Sequence, residues 1–345
     1  MMRHIAPRPP SLWLGRSYYS RMLKPKHRTR LGRYYLGDST TVLRGALGKG
    51  LRGRVQLILT SPPYPLNRKK SYGNLNGRKY LEWFKGLAPL LTDFLSPDGS
   101  IVIELGNSWE PGRPVQSLLP LRSLLEFVSN PEASLRLVQE FVCYNPSRLP
   151  SPAQWVTVNR LRTVDSYTHV WWISNSDLPK ADNRRVLRPY SDSMAKLLRR
   201  GTFNAGKRPS EHSINEFAFL KDCGGSIAHN FFELENLDAT RRVRLPNAFS
   251  FSNTASNDFY TRCCAKMKIK PHPARMPIGL AAFFLEYLTD RGDLVMDPFA
   301  GSNTTGYAAA RLGRQWISVD AEAKYALQSK IRFQDPAFKK KGREK

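Results

Sequence analysis

The chain has 345 residues, 41% of them hydrophobic, which is enough to build a core and excludes general disorder. Its 54 Lys and Arg against 28 Asp and Glu leave a net charge of +26, an attraction for polyanions such as nucleic acid or an anionic membrane surface. No apolar run is long enough to span a bilayer, and Cys143, Cys223, Cys263 and Cys264 have neither disulfide-framework nor zinc-site spacing, so no metal is expected.

Residues 1–33 carry nine Lys or Arg before the first acidic residue, Asp38. That composition fits an organelle transit peptide or an arm lying on nucleic acid, and the basic chain behind it favours the arm. An α/β pattern opens at Tyr34-Tyr35-Leu36. Residues 55–59 form a short apolar run that predicts a buried strand, stopped by Ser61-Pro62-Pro63. Residues 80–95 have helical spacing, with Leu81, Phe84, Leu87, Leu91 and Phe94 on one side. Pro97-Asp98-Gly99 turns into a strand over 100–105. Residues 122–141 read as a further helix and 168–173 as a further strand, in which Trp171 and Trp172 are core. Strands alternating with helices predict a mostly parallel sheet covered on both faces.

From 175 to 266 the rhythm fails. The stretch is rich in Arg, Asn, Ser and Gly, and is too long for a structureless loop, so it reads as an inserted module. A helix over 276–289, a strand over 293–296, a helix over 304–312 and a strand over 316–319 follow. Residues 331–345 form a basic tail.

Two loops carry chemistry. Thr60-Ser61-Pro62-Pro63-Tyr64 follows a buried strand, at the end where open α/β sheets gather ligands. Two prolines remove two N–H donors and fix two φ angles, leaving rigid carbonyls that can accept hydrogen bonds from an amino group. Ser61 adds an acceptor and Tyr64 a flat face for stacking. The bland alternative is a rigid turn. The second loop, Asp297-Pro298-Phe299-Ala300-Gly301-Ser302-Asn303-Thr304, joins a strand to a helix that Ser302 or Asn303 can cap. Asp320 ends the next strand, where a carboxylate can hold ribose hydroxyls. A capped turn without a ligand is the alternative here.

Together the two loops resemble the catalytic tetrapeptide and the S-adenosylmethionine loop of the amino-methylating DNA methyltransferases. The catalytic loop comes first, which is the permuted order of that family's beta group. Gly37-Asp38 is similar to the acidic turn near the cofactor adenine. Lys270-Pro271-His272-Pro273-Ala274-Arg275-Met276-Pro277 is similar to the segment closing over the methionine end. Gly224-Gly225-Ser226-Ile227 and Asn253-Thr254-Ala255-Ser256-Asn257 resemble pieces of the variable region in the N4-cytosine branch. Asn303 departs from the glycine often found at its position.

The resemblance implies a circularly permuted, Rossmann-like class I methyltransferase fold. Its expected parts are an arm (1–33), a catalytic half (34–174), a target-recognition region (175–266), a cofactor half (267–330) and a tail (331–345). It implies catalytic residues Ser61, Pro62, Pro63 and Tyr64. The S-adenosyl-L-methionine site would be Asp38, His272, Asp297, Pro298, Phe299, Ala300, Gly301, Ser302, Thr304 and Asp320. Ser61 points to cytosine N4 in double-stranded DNA, flipped from the helix, with adenine N6 as the alternative. C5 methylation needs a cysteine nucleophile, and no cysteine adjoins either loop in sequence. RNA or protein-glutamine methylation, and a non-catalytic DNA-binding protein, remain as rival readings. A cognate restriction endonuclease and a cytoplasmic, DNA-associated location in a bacterium or archaeon are further expectations.

Overall fold

The computed structural model describes residues 24–64, 75, 77–145, 148–203, 206–215, 219–233 and 258–336. Most of the basic arm, Asn253-Thr254-Ala255-Ser256-Asn257 and most of the basic tail lie outside these residues. The elements, in chain order, are β1 (His27–Arg28), β2 (Gly32–Leu36), α1 (Ser39–Arg44), α2 (Ala46–Lys49), β3 (Val55–Thr60), α3 (Gly77–Thr92) and β4 (Leu95–Gly106). Next come α4 (Leu119–Val128), β5 (Arg136–Tyr144), β6 (Tyr167–Ser174), α5 (Asp192–Arg200), β7 (Gly206–Lys207), β8 (Ser213–Ile214) and β9 (Phe231–Glu233). The chain closes with α6 (Phe259–Lys266), α7 (Ile278–Leu288), β10 (Leu294–Asp297), α8 (Thr304–Arg311), β11 (Gln315–Asp320) and α9 (Ala323–Arg332).

Nine of the described strands form one sheet in the order β1-β2-β11-β10-β3-β4-β6-β5-β9. Its centre, β2-β11-β10-β3-β4, is parallel throughout. β6 runs antiparallel between β4 and β5. The period-two alternation of strands sends neighbouring side chains to opposite faces. Leu57, Leu59, Val295 and Trp172 pack under α7 and α8, while Ile58, Met296, Ile317 and Trp171 pack under α3 and α4. Helices thus cover both faces.

Three sequence expectations are corrected. The helix expected over 122–141 is α4 followed by the strand β5. Pro131 disfavours helix at Asn130, whose side chain instead accepts the Glu132 N–H (3.0 Å) and donates to the Lys85 carbonyl (3.0 Å). The arm cannot extend to residue 33, because β1 and the start of β2 are already sheet, paired through His27↔Tyr34 and Gly32↔Trp316. The 175–266 stretch is not separate at its ends. Asp182 N donates to the Tyr287 carbonyl (2.9 Å), β9 pairs with β5, and the Tyr260 hydroxyl of α6 donates to Gln328 of α9 (2.6 Å). The part standing away from the sheet centres on α5, which has no buried residue.

Candidate active site

Because β2, β11, β10, β3 and β4 are adjacent and parallel, their carboxyl ends lie in a row. Asp38, Asp320, Asp297, Ser61 and Gly106 follow or finish those strands in that spatial order. One cleft runs along this edge. All the sequence-predicted site residues line it except Pro298, whose carbonyl accepts the hydroxyl of Ser39, itself a lining residue.

The two loops are fastened together. The Thr60 hydroxyl, one residue before Ser61, donates to Asp297 Oδ1 (2.8 Å), which also accepts the Phe299 N–H (3.1 Å). Burial pushes the Asp297 carboxyl up to about 6, against opposing hydrogen bonds from Thr305 and Thr60. The Thr305 hydroxyl also lies 3.3 Å from the Leu59 carbonyl, a second contact between α8 and β3.

Gly301 is held from three sides. Tyr34 OH donates to its carbonyl (2.9 Å), its N–H donates to Asp320 Oδ2 (2.7 Å), and the His272 ring packs on its α-carbon. A Cβ here would lie 2.8 Å from His272 Nε2, and the φ of +49° is itself a glycine conformation. Asn303, standing where glycine was expected, adopts φ +67° and is fully buried. Its Oδ1 accepts the Gly306 N–H (3.1 Å) and the Ser318 hydroxyl (2.7 Å), and its Nδ2 donates to Ser329 (2.9 Å). Asparagine tolerates the left-handed region, so the loop keeps its shape and α8 gains its N-cap.

Asp38 caps α1. Burial raises its pKa, but hydrogen bonds from Thr40 and Thr41, all on Oδ1, outweigh that and leave the carboxyl below its ordinary value. Asp320 shifts the other way, raised chiefly by burial. His272 Nδ1 accepts the Ala274 N–H (3.2 Å), so the neutral ring carries its proton on Nε2. Burial lowers its pKa to about 4, and the ring lies 4.3 Å from that of Tyr325.

Beside the Ser61 loop the Tyr64 ring packs against Gly106, where a Cβ would come within 2.6 Å of Tyr64 Cε2. Ser61 Oγ is 3.4 Å from the Tyr64 hydroxyl. Behind it sits Glu104, which sequence reading placed in a strand without a role. Glu104 is buried and its carboxyl is pushed up to about 7 by that burial, with Thr168, Arg148 and a hydrogen bond from Ser61 pulling the other way. A glutamate set between the apolar residues Ile101-Val102-Ile103 and Leu105 was the available signal. Cys143 also lies close to Glu104, despite its distance in sequence from both loops. Burial and that carboxyl push its thiol up to about 12, which favours the protonated, weakly nucleophilic form. Trp83, whose ring meets Phe299 edge-on at 5.6 Å, and Glu322 line the cleft as well and were not anticipated.

A family model described as DNA methylase matches residues 55–330. The chain belongs to that DNA methylase family. It is 39% identical over 314 residues to the type II methyltransferase M.PvuII of Proteus hauseri, covering 90% of this chain and 86% of that one. The solved PvuII DNA methyltransferase, titled cytosine-N4-specific, superposes with a TM-score of 0.68 at 34% identity, over 91% of this chain and 90% of that one. The type II methyltransferase M.EcaI of Enterobacter cloacae is 22% identical over 82% of this chain and 65% of its own.

The family is S-adenosylmethionine-dependent, and the cleft suits such a cofactor. In a chain of net charge +26 it gathers Asp38, Asp297, Asp320 and Glu322, while its one arginine, Arg275, is engaged by Asp258 (3.3 Å). An acidic cleft in a basic protein fits a sulfonium cation better than a phosphate.

Proposed function

We propose that this methylase transfers a methyl group from S-adenosyl-L-methionine to the N4 amino group of cytosine in double-stranded DNA. The observation carrying this reading is the Thr60–Asp297 hydrogen bond, which holds the Ser61-Pro62-Pro63-Tyr64 loop against the cofactor loop in one cleft. The cytosine-N4 title of the solved relative favours the same base. When bound, the cofactor supplies a methyl group made electrophilic by its sulfonium. Asp320 and Asp38 would hold the nucleoside end, and neutral His272, packed on Gly301, belongs to the segment that would close over the methionine end.

A cytosine paired in a duplex hides its amino group, so the base is flipped into the cleft. Tyr64, fixed by Gly106, stacks on it. The Ser61 hydroxyl and the Pro62 carbonyl accept the amino hydrogens and turn the nitrogen lone pair toward the methyl group. Such alignment removes much of the entropic barrier, on the order of 7–11 kcal/mol in favourable cases. Methylation leaves the nitrogen with a surplus proton. Glu104, poised near neutrality behind Ser61, is the group placed to take it, through the serine hydroxyl.

The relatives named as type II methyltransferases support a place in a restriction–modification system, with a cognate endonuclease as partner and the bacterial cytoplasm as location. DNA from an expressing host, digested to nucleosides and weighed by mass spectrometry, should contain N4-methylcytosine. N6-methyladenine alone would move the target to adenine, and no modified base at all would defeat the reading.

A further inference from the structure

β5 and β6 are antiparallel neighbours, yet residues 145–166 connect them where hairpins ordinarily use two to five. The connection rises beside the catalytic loop, because the start of β6 pairs with the end of β4 through Gly106↔Thr168, and Tyr64 lies on Gly106. Its stem is anchored. Asn145 N donates to the Ser166 carbonyl (2.6 Å), Arg148 Nη1 to the Tyr167 carbonyl (3.1 Å) and Asn107 Nδ2 to Asp165 (3.0 Å). The tip is also held in shape, with the Asn159 N–H on the Gln154 carbonyl (2.8 Å) and the Leu161 N–H on the Trp155 carbonyl (2.9 Å).

This ordered tip turns its aliphatic side chains outward. Leu149 is 80%, Val158 68% and Leu161 64% exposed. A single exposed aliphatic residue needs no explanation, but three on one hydrogen-bonded loop call for a partner. Charge complementarity selects the partner. Residues 148–164 contain Arg148, Arg160 and Arg162 and no acidic residue, and Arg162 is levelled over the Trp109 ring at 4.6 Å. A surface that is both cationic and apolar, beside a pocket that receives one base, matches a duplex opened at that base: phosphates outside, unstacked base faces inside.

We propose that the 148–164 loop docks on duplex DNA beside the target nucleotide, Val158 and Leu161 covering the bases exposed by flipping while Arg160 and Arg162 hold flanking phosphates. The inference rests on the proposed DNA substrate, and its test separates the two. Host DNA modified by the wild-type protein first identifies the base and its sequence context. Duplexes carrying that site are then prepared with the target base either paired or facing an abasic position, and each variant is compared with wild type on both.

Val158→Ser/Leu161→Ser should lose about tenfold or more in kcat/KM on the paired duplex. It should recover to within about twofold of wild type on the abasic duplex, where unpairing no longer costs free energy. Arg160→Gln should instead weaken both duplexes alike and flatten the salt dependence. S-adenosylmethionine affinity, measured by calorimetry, should stay unchanged in both variants, which reports an intact fold. An equal loss of the serine variant on both duplexes, or none on either, would overturn the loop's role even when the wild-type protein methylates as proposed. A wild-type protein that leaves host DNA unmodified would overturn the substrate reading itself.

Discussion

Ser61, Tyr64 and Glu104 form a small polar group whose members have different parts in the proposed mechanism. Ser61→Ala and Tyr64→Ala should each keep cofactor binding while cutting methyl transfer by about a hundredfold or more, read by single-turnover kinetics against calorimetric affinity. Near-normal turnover in both would remove the loop from the chemistry. Glu104 makes a prediction in pH. A buried carboxyl near 7 is protonated below that value and cannot accept a proton there, so kcat should fall about tenfold per unit on the acid side. Glu104→Gln should flatten that limb at a much lower plateau. Stability has the opposite sign. A carboxyl raised from 4.5 to about 7 on folding binds its proton more tightly in the native state, so stability falls as pH rises through that window. The full difference is roughly 3 kcal/mol, and at pH 8 Glu104→Gln should therefore raise the melting temperature while lowering activity. A variant that melts no higher at pH 8 than wild type would show that the buried charge is compensated in a way these contacts do not reveal.

At the scale of elements, the decisive device is the turn from β10 into α8. Asn303→Ala should lower stability by roughly 2–3 kcal/mol, combining a lost cap with a left-handed conformation that alanine resists. Asn303→Gly should cost less, since glycine accepts the conformation and loses only the hydrogen bonds. Urea unfolding of the two variants checks the order, and an alanine variant as stable as the glycine one would refute the conformational account. The same turn explains what was legible in the sequence. Local chemistry wrote β3, β10, α8 and β11 plainly, because each is a buried run bounded by Pro, Gly or Asn. The strand β5 was not legible. Its first half, Leu137-Val138-Gln139-Glu140, is exposed throughout and places two consecutive apolar residues at a register shift, so the alternation that would mark a strand is lost. Nor could a single sequence reveal that Glu104 and Cys143 meet, since they lie on β4 and β5, which are separated in the sheet by β6 and in the chain by α4.

For the whole molecule, charge is divided by place: an acidic cleft for the cofactor inside a chain whose surplus is strongly positive. Part of the basic surface is already committed. Arg185 binds Asp290 (2.8 Å) and the Thr289 carbonyl (2.9 Å), and Arg184 pairs with Asp182 (2.8 Å), so these two arginines serve the fold or a local ion pair. Arg199 and Lys196 on α5 are instead exposed. The basic N-terminal segment adds a separable contribution. A truncation that respects β1 removes residues 2–23 and with them Arg3, Arg8, Arg16 and Arg21. If these neutralise phosphates, each contributes about 0.9 to the slope of log affinity against log salt, so the truncated protein should flatten that slope by up to about 3.6. Its methylated site should be unchanged, because backbone contacts carry no base information. Were the segment a transit peptide instead, the enzyme would work without it. Titrating full-length and truncated protein with one duplex at several salt concentrations decides between them. Parallel slopes would remove the arm from DNA, and an altered recognition site would mean that it reads bases as well as phosphates.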